Sequence, residues 1–116
     1  GDPYHRERVL VAILVGHPEL LSEVRTDFAQ IEIQNAQLSQ LRSALLEVSA
    51  NSSRLNYQSI RAQLADLGHE QLIAKLLDRT EWNQTMTEPS IRPETNSGTA
   101  LAAWRETHAL HCQTTK

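Results

Sequence analysis

Near one end of this 116-residue chain, His108, His111 and Cys112 lie within little more than a helical turn. Imidazole and thiolate are ligands that zinc prefers, and a helix would set the two histidines on one face. A zinc site needs three or four ligands in closed geometry, and no second cluster is spaced to supply the rest. The group therefore reads as a partly exposed helix end, and no metal is expected. Cys112 as a nucleophile would need a base. His108 stands one turn away for that role, but a position so close to a fraying terminus argues against a preorganised site. The carboxylates are no more suggestive. Glu19 and Glu23 are one turn apart and Glu7 has no reactive neighbour, whereas general acid–base chemistry needs a cleft and a partner that shifts a pKa. His17, just before Pro18, reads as satisfying a turn, and His5 and His69 as surface residues. The four glycines are scattered and form no phosphate-binding loop. These 116 residues are expected to be neither an enzyme nor a cofactor carrier.

The elements that position these residues read as helices. From Arg6 the chain forms an amphipathic helix with Val9, Leu10, Ile13 and Leu14 on its apolar face. Gly16 is expected to supply a left-handed stop. Pro18 suits a first helical position, because its missing N–H would be unpaired there, and Glu19 complements the helix dipole. Leu20, Leu21 and Val24 continue the apolar surface. Asp27 to Ile33 is given at most a short helical turn. Asn35 is a plausible N-cap for a helix from Gln37 to about Ala50, with Leu38, Leu41, Leu45 and Val48 in a stripe too short for a free coiled coil. Asn51 to Ser53 breaks it. Asn56 caps the next helix, which sets Tyr57, Ile60, Leu64 and Leu67 on one face and stops at Gly68. A fifth helix carries Leu72, Ile73, Leu76 and Leu77. A long proline-containing loop, about 79–97, follows, with Trp82, Met86 and Ile91 as its possible anchors. The last helix runs from about Gly98 to Cys112 with Leu101, Trp104 and Leu110 facing inward.

The totals fit one all-α domain over residues 1–116, a compact bundle of about six helices. Apolar residues make up 40% of the chain and aromatics only 4%, so Leu, Ile, Val and Ala must build the core. A β-sandwich would want more aromatic and β-branched residues. The formal charge is −3, from 14 acidic and 11 basic residues, with the signs interspersed. Without a basic stripe, direct nucleic-acid binding lacks its main electrostatic requirement. A single cysteine excludes an internal disulfide and fits a reducing cytoplasm. No apolar run approaches membrane-spanning length, so no membrane contact is expected. The start at Gly1 and the helical character of the final stretch suggest a piece of a longer protein.

Taken in order, several segments resemble the C-terminal domain of bacterial DnaG-type DNA primases, in a form similar to the alphaproteobacterial branch. They are Arg6 to Leu14, His17 to Val24, Leu41 to Leu46, Ile60 to Leu64, Leu72 to Leu77 and Trp104 to His111. Each is weakly specific alone; their order, with Trp104-Arg105 after a proline-containing loop, carries the resemblance. It implies a protein-interaction domain that docks primase on the replicative DnaB-type helicase hexamer and modulates it during priming. The nucleotidyltransferase chemistry of such a parent would lie elsewhere. Asp2, Asp27, Asp66 and Asp78 form no paired acidic motif, and one cysteine cannot make a zinc knuckle. Family members usually carry a terminal helical hairpin as a main helicase contact. It would begin where this sequence stops, so these residues alone are expected to bind helicase poorly. The helicase's own N-terminal domain and an unrelated helical adaptor are the competing readings. Against the former, Leu41 and Leu45 stand where that family tends to place an aromatic. Partner contact is expected on the last helix, at Arg105, His108 and His111. With an unperturbed histidine pKa of about 6.5, binding there would respond to mildly acidic pH.

Overall fold

The computed structural model describes residues 3–52, 55–77 and 96–114. Its helices are α1 (Pro3–Gly16), a 3₁₀ turn (Pro18–Leu20), α2 (Leu21–Gln30), α3 (Ala36–Asn51), α4 (Tyr57–Asp66), α5 (Glu70–Leu77) and α6 (Ser97–Thr114). No strand occurs among the described residues, and the protein is an all-α bundle. Most of the expected long loop, including Trp82, Met86 and Ile91, lies outside the described residues.

Helix α1 is the axis of the bundle. It packs against α3, α4, α5 and, most extensively, α6. Every residue from Val9 to Val15 is essentially inaccessible to solvent, so the expected one-sided amphipathic helix is in fact buried all round. Val11, Ala12 and Val15, outside the expected face, are core residues too. A helix apolar on every side belongs inside, where each Val, Leu or Ile contributes roughly 1.5–3 kcal/mol of burial. Gly16 also departs from expectation. It remains within α1, and the only positive-φ glycine among the described residues is Gly68. The break falls instead at His17, at φ −132° and ψ 64°, with Pro18 opening the 3₁₀ turn as its geometry favours.

Helix α2 runs further than the short turn expected after Asp27, ending at Gln30 with Phe28 wholly buried. Its end is capped from outside. The Arg42 guanidinium on α3 donates to the Ile31 carbonyl at 2.6 Å and, more distantly, to the carbonyls of Phe28 and Ala29 at 3.4 Å. A cation there satisfies acceptors that have no partner within the helix. Arg25 braces the same pair of helices from α2, donating to Ser49 Oγ at 2.8 Å and the Leu46 carbonyl at 3.3 Å.

Three asparagines start three helices. The Asn35 side chain accepts from Leu38 N–H, and that of Asn56 from Ser59 N–H, both as read from the sequence. Asn96, which was not, accepts from Gly98 N–H at 2.7 Å and Thr99 N–H at 3.4 Å to start α6. The expected stripe on α3 (Leu38, Leu41, Leu45, Val48) is buried against α1 and α2.

The α4–α5 corner is closed by paired backbone hydrogen bonds. His69 N–H reaches the Leu64 carbonyl at 3.1 Å and Gly68 N–H the Ala65 carbonyl at 3.0 Å, with Gly68 at φ +95°. This is a Schellman closure, in which the glycine takes the left-handed position. Arg61 then grips Glu70 across the corner with two donors, at 2.9 and 3.5 Å, while it also hydrogen-bonds Tyr57. The contact with the Glu70 carboxylate is the main reason the Arg61 pKa is raised.

Candidate functional site

The expected partner residues sit on α6, and the structure separates them. Ala100, Trp104, Thr107 and His111 face inward, spaced by four, three and four residues as a buried helical face requires. Trp104 anchors this face. It is fully buried, donates from Nε1 to the Leu10 carbonyl at 3.0 Å, and meets the Phe28 ring edge-on at 6.5 Å. His111 is only 1% exposed, and its Nε2 donates to the Glu32 carbonyl at 2.8 Å. It tethers the end of α6 to the α2–α3 connection. The expectation that His108 and His111 share a partly exposed helix end is therefore corrected for His111, while His108 stays partly exposed. The helix turns His111 into the core because it continues the Ala100–Trp104–Thr107 row.

Arg105 lies on the outer face with Glu106, Ala109 and Leu110. Leu110, expected to face inward, is 48% exposed. Arg105 Nη2 is 3.8 Å from Glu23 Oε2 on α2, and both side chains are more than half exposed. A pair so long and wet contributes little to stability, which leaves the guanidinium accessible. His108 occupies the flank between the two faces. Its ring stacks on Trp104 at 4.9 Å with 14° between planes, and its Nε2 is 3.4 Å from Cys112 Sγ. The contact between base and thiol suggested by their spacing does form, but stacking on the core ring fixes His108 as part of the packing. Among the described residues no group of three or more His, Cys, Asp or Glu could hold a metal ion.

Glu7 and Leu67 are two further positions that differ from the sequence reading. Glu7, which the sequence marks only as an acid without a reactive neighbour, is 2% exposed. Its carboxylate accepts from Gln34 N–H at 2.9 Å and Asn35 N–H at 3.2 Å, which fixes the chain at the start of α3, where a negative charge also suits the helix dipole. The usable signal was its place only two residues before an uninterrupted apolar run. Leu67, assigned to the core face of α4, is 57% exposed. Here Gly68 was the signal, since a left-handed closure redirects the residue before it. His17 is buried, with Nδ1 3.4 Å from Glu19 Oε2, and no side-chain cap forms at the turn. Glu19 instead accepts from Ser97 Oγ at 2.7 Å, linking the 3₁₀ turn to the first turn of α6.

Fold and surface together define the class: an all-α bundle wrapped round one buried helix, with no helix among the described residues long and apolar enough to cross a membrane. Compared with family models, with curated proteins and with solved structures, the chain finds no match.

Proposed function

We propose that this bundle is the protein-docking part of a bacterial DnaG-type primase, seating its parent on the replicative DnaB-type helicase hexamer. The observation that carries the reading is the ordered series of primase-like segments from Arg6 to His111. What supports it further is that these segments are the ones the bundle is built from: α1, the 3₁₀ turn with α2, and parts of α3, α4, α5 and α6. A rigid bundle presenting helix faces suits docking, and the outer face of α6 combines an accessible guanidinium with an exposed leucine. Arg is among the side chains enriched at protein interfaces and their hot spots.

The test is a titration of a hexameric DnaB-type helicase with the chain, read as the helicase's ATP hydrolysis. A saturable change in rate is expected, weak in affinity and weakened further by Leu110→Asp or Arg105→Glu. A rate that stays constant up to the highest soluble concentration of the chain would overturn the proposal.

A further inference from the structure

The exposed Leu67 stands between two depressions. One, of about 460 Å³, lies towards Gln37 at the start of α3 and takes in His69 and Lys75; the other, of about 300 Å³, lies towards Asn51 at its end and takes in Glu47 and Asp66. Leu67 lines both. From Gln37 to Asn51 the surface extends about 21 Å along α3, at a rise of about 1.5 Å per residue. It is hollow at both ends, with Leu72 and Val48 in the walls, and carries the exposed Leu67 at its middle.

The charges differ between the ends. Lys75 is a cation on one side. Glu47 and Asp66 are anions on the other. Arg61 and Glu70, also near the corner, are paired at 2.9 Å and largely cancel one another. A patch that is basic at one end, apolar at the centre and acidic at the other is complementary to itself after a half-turn about its centre. That is the property an isologous two-fold interface demands.

We propose that this face is a self-association surface, and that its occupant is a second copy of the chain. In the dimer the two Leu67 side chains meet near the two-fold axis. Each Lys75 then lies over Glu47 and Asp66 of the other copy, so the charge contact forms twice. The patch is small beside a standard interface, so the dimer is weak and concentration-dependent. Its electrostatic contribution is exposed and falls with added salt.

Sedimentation equilibrium of the whole chain over a wide concentration range tests this. A monomer–dimer equilibrium is expected, with a dissociation constant raised at least about tenfold by Leu67→Ser, as for a central interface residue. Lys75→Glu and Glu47→Lys change only exposed side chains, so both variants remain folded by circular dichroism. Lys75→Glu sets like charges opposite one another and should stay monomeric where the native chain dimerises, while Glu47→Lys, which leaves only Asp66 as an anion opposite Lys75, should weaken the dimer. Mixed in equal amounts, they should form a heterodimer, because one charge contact is then the native one and the other pairs the two introduced charges with their signs exchanged. A chain that is monomeric throughout the range would overturn the proposal. So would a dimer indifferent to all three substitutions, or a monomer whose His69–Lys75 hollow instead takes up an acidic peptide.

Discussion

Leu10 and Leu67 are both leucines in helical runs, yet one is wholly inaccessible and the other more than half exposed. The difference lies in what surrounds each residue along the chain. Leu10 stands in a run of seven consecutive buried aliphatic residues, Val9 to Val15, and a helix apolar on every side is stable only if other helices cover every side. Leu67 follows Ile60 and Leu64 at helical spacing, but α4 ends at Asp66. The Schellman closure then bends the chain away before a further turn could bring Leu67 onto the core. Apolar spacing gives a side chain its face only while the helix lasts. At a helix end, the cap decides where the side chain goes.

The largest expected effect is on the inner side of this comparison. Trp104→Ala removes the side chain that joins α6 to α1 and deprives the Leu10 carbonyl of its indole donor. For a fully buried tryptophan the cost is about 3–5 kcal/mol, to be measured as the drop in unfolding free energy in urea. A loss below about 1 kcal/mol would mean that α6 contributes little to holding the axial helix.

Next is Glu7→Ala, also on α1. The substitution strips the acceptor from two backbone N–H groups at the start of α3. Groups left unpaired in a part-buried setting cost about 1–3 kcal/mol. Thermal melts should show the loss, and hydrogen exchange at Gln34 and Asn35 should accelerate more than at Leu45. Uniform acceleration across α3 would show that Glu7 supports the whole fold and not this connection.

At the corner itself, Gly68→Ala probes the closure that exposes Leu67. A Cβ added there would meet nothing within 4 Å, so the cost is that of the left-handed backbone alone, about 1–2 kcal/mol. If the substitution is neutral by urea titration, the positive φ is not what turns the chain.

How much of this was legible in the sequence follows the same division. The caps at Asn35 and Asn56, the stop at Gly68 and the buried stripe on α3 are local events, set by residues a few positions apart, and the sequence reading found them. It missed the full burial of α1, because covering the faces of Val11 and Val15 depends on helices distant in the chain. It likewise placed His111 on the surface, because a histidine on a helix gives no sign that a carbonyl from Glu32 will meet it. Arg105 was placed on α6 as expected, and its exposure follows from the row that Trp104 and His111 bury. The α4–α5 face could not be read at all, since its two hollows exist only once α3 lies alongside the corner.

The smallest expected change in stability belongs to Leu67→Ser. With more than half of its surface already in water, Leu67 loses only a fraction of the roughly 1.5–3 kcal/mol that a fully buried leucine would contribute, so the native bundle should weaken by less than about 1 kcal/mol in urea. That small number gives the comparison its force. The same residue type that holds the axis together at Leu10 is nearly dispensable to the fold at Leu67. A loss of several kcal/mol would show that the corner belongs to the core after all and would erase the contrast. A variant that folds as well as the native chain while its self-association weakens at least about tenfold would locate the use of Leu67 between molecules and not within one.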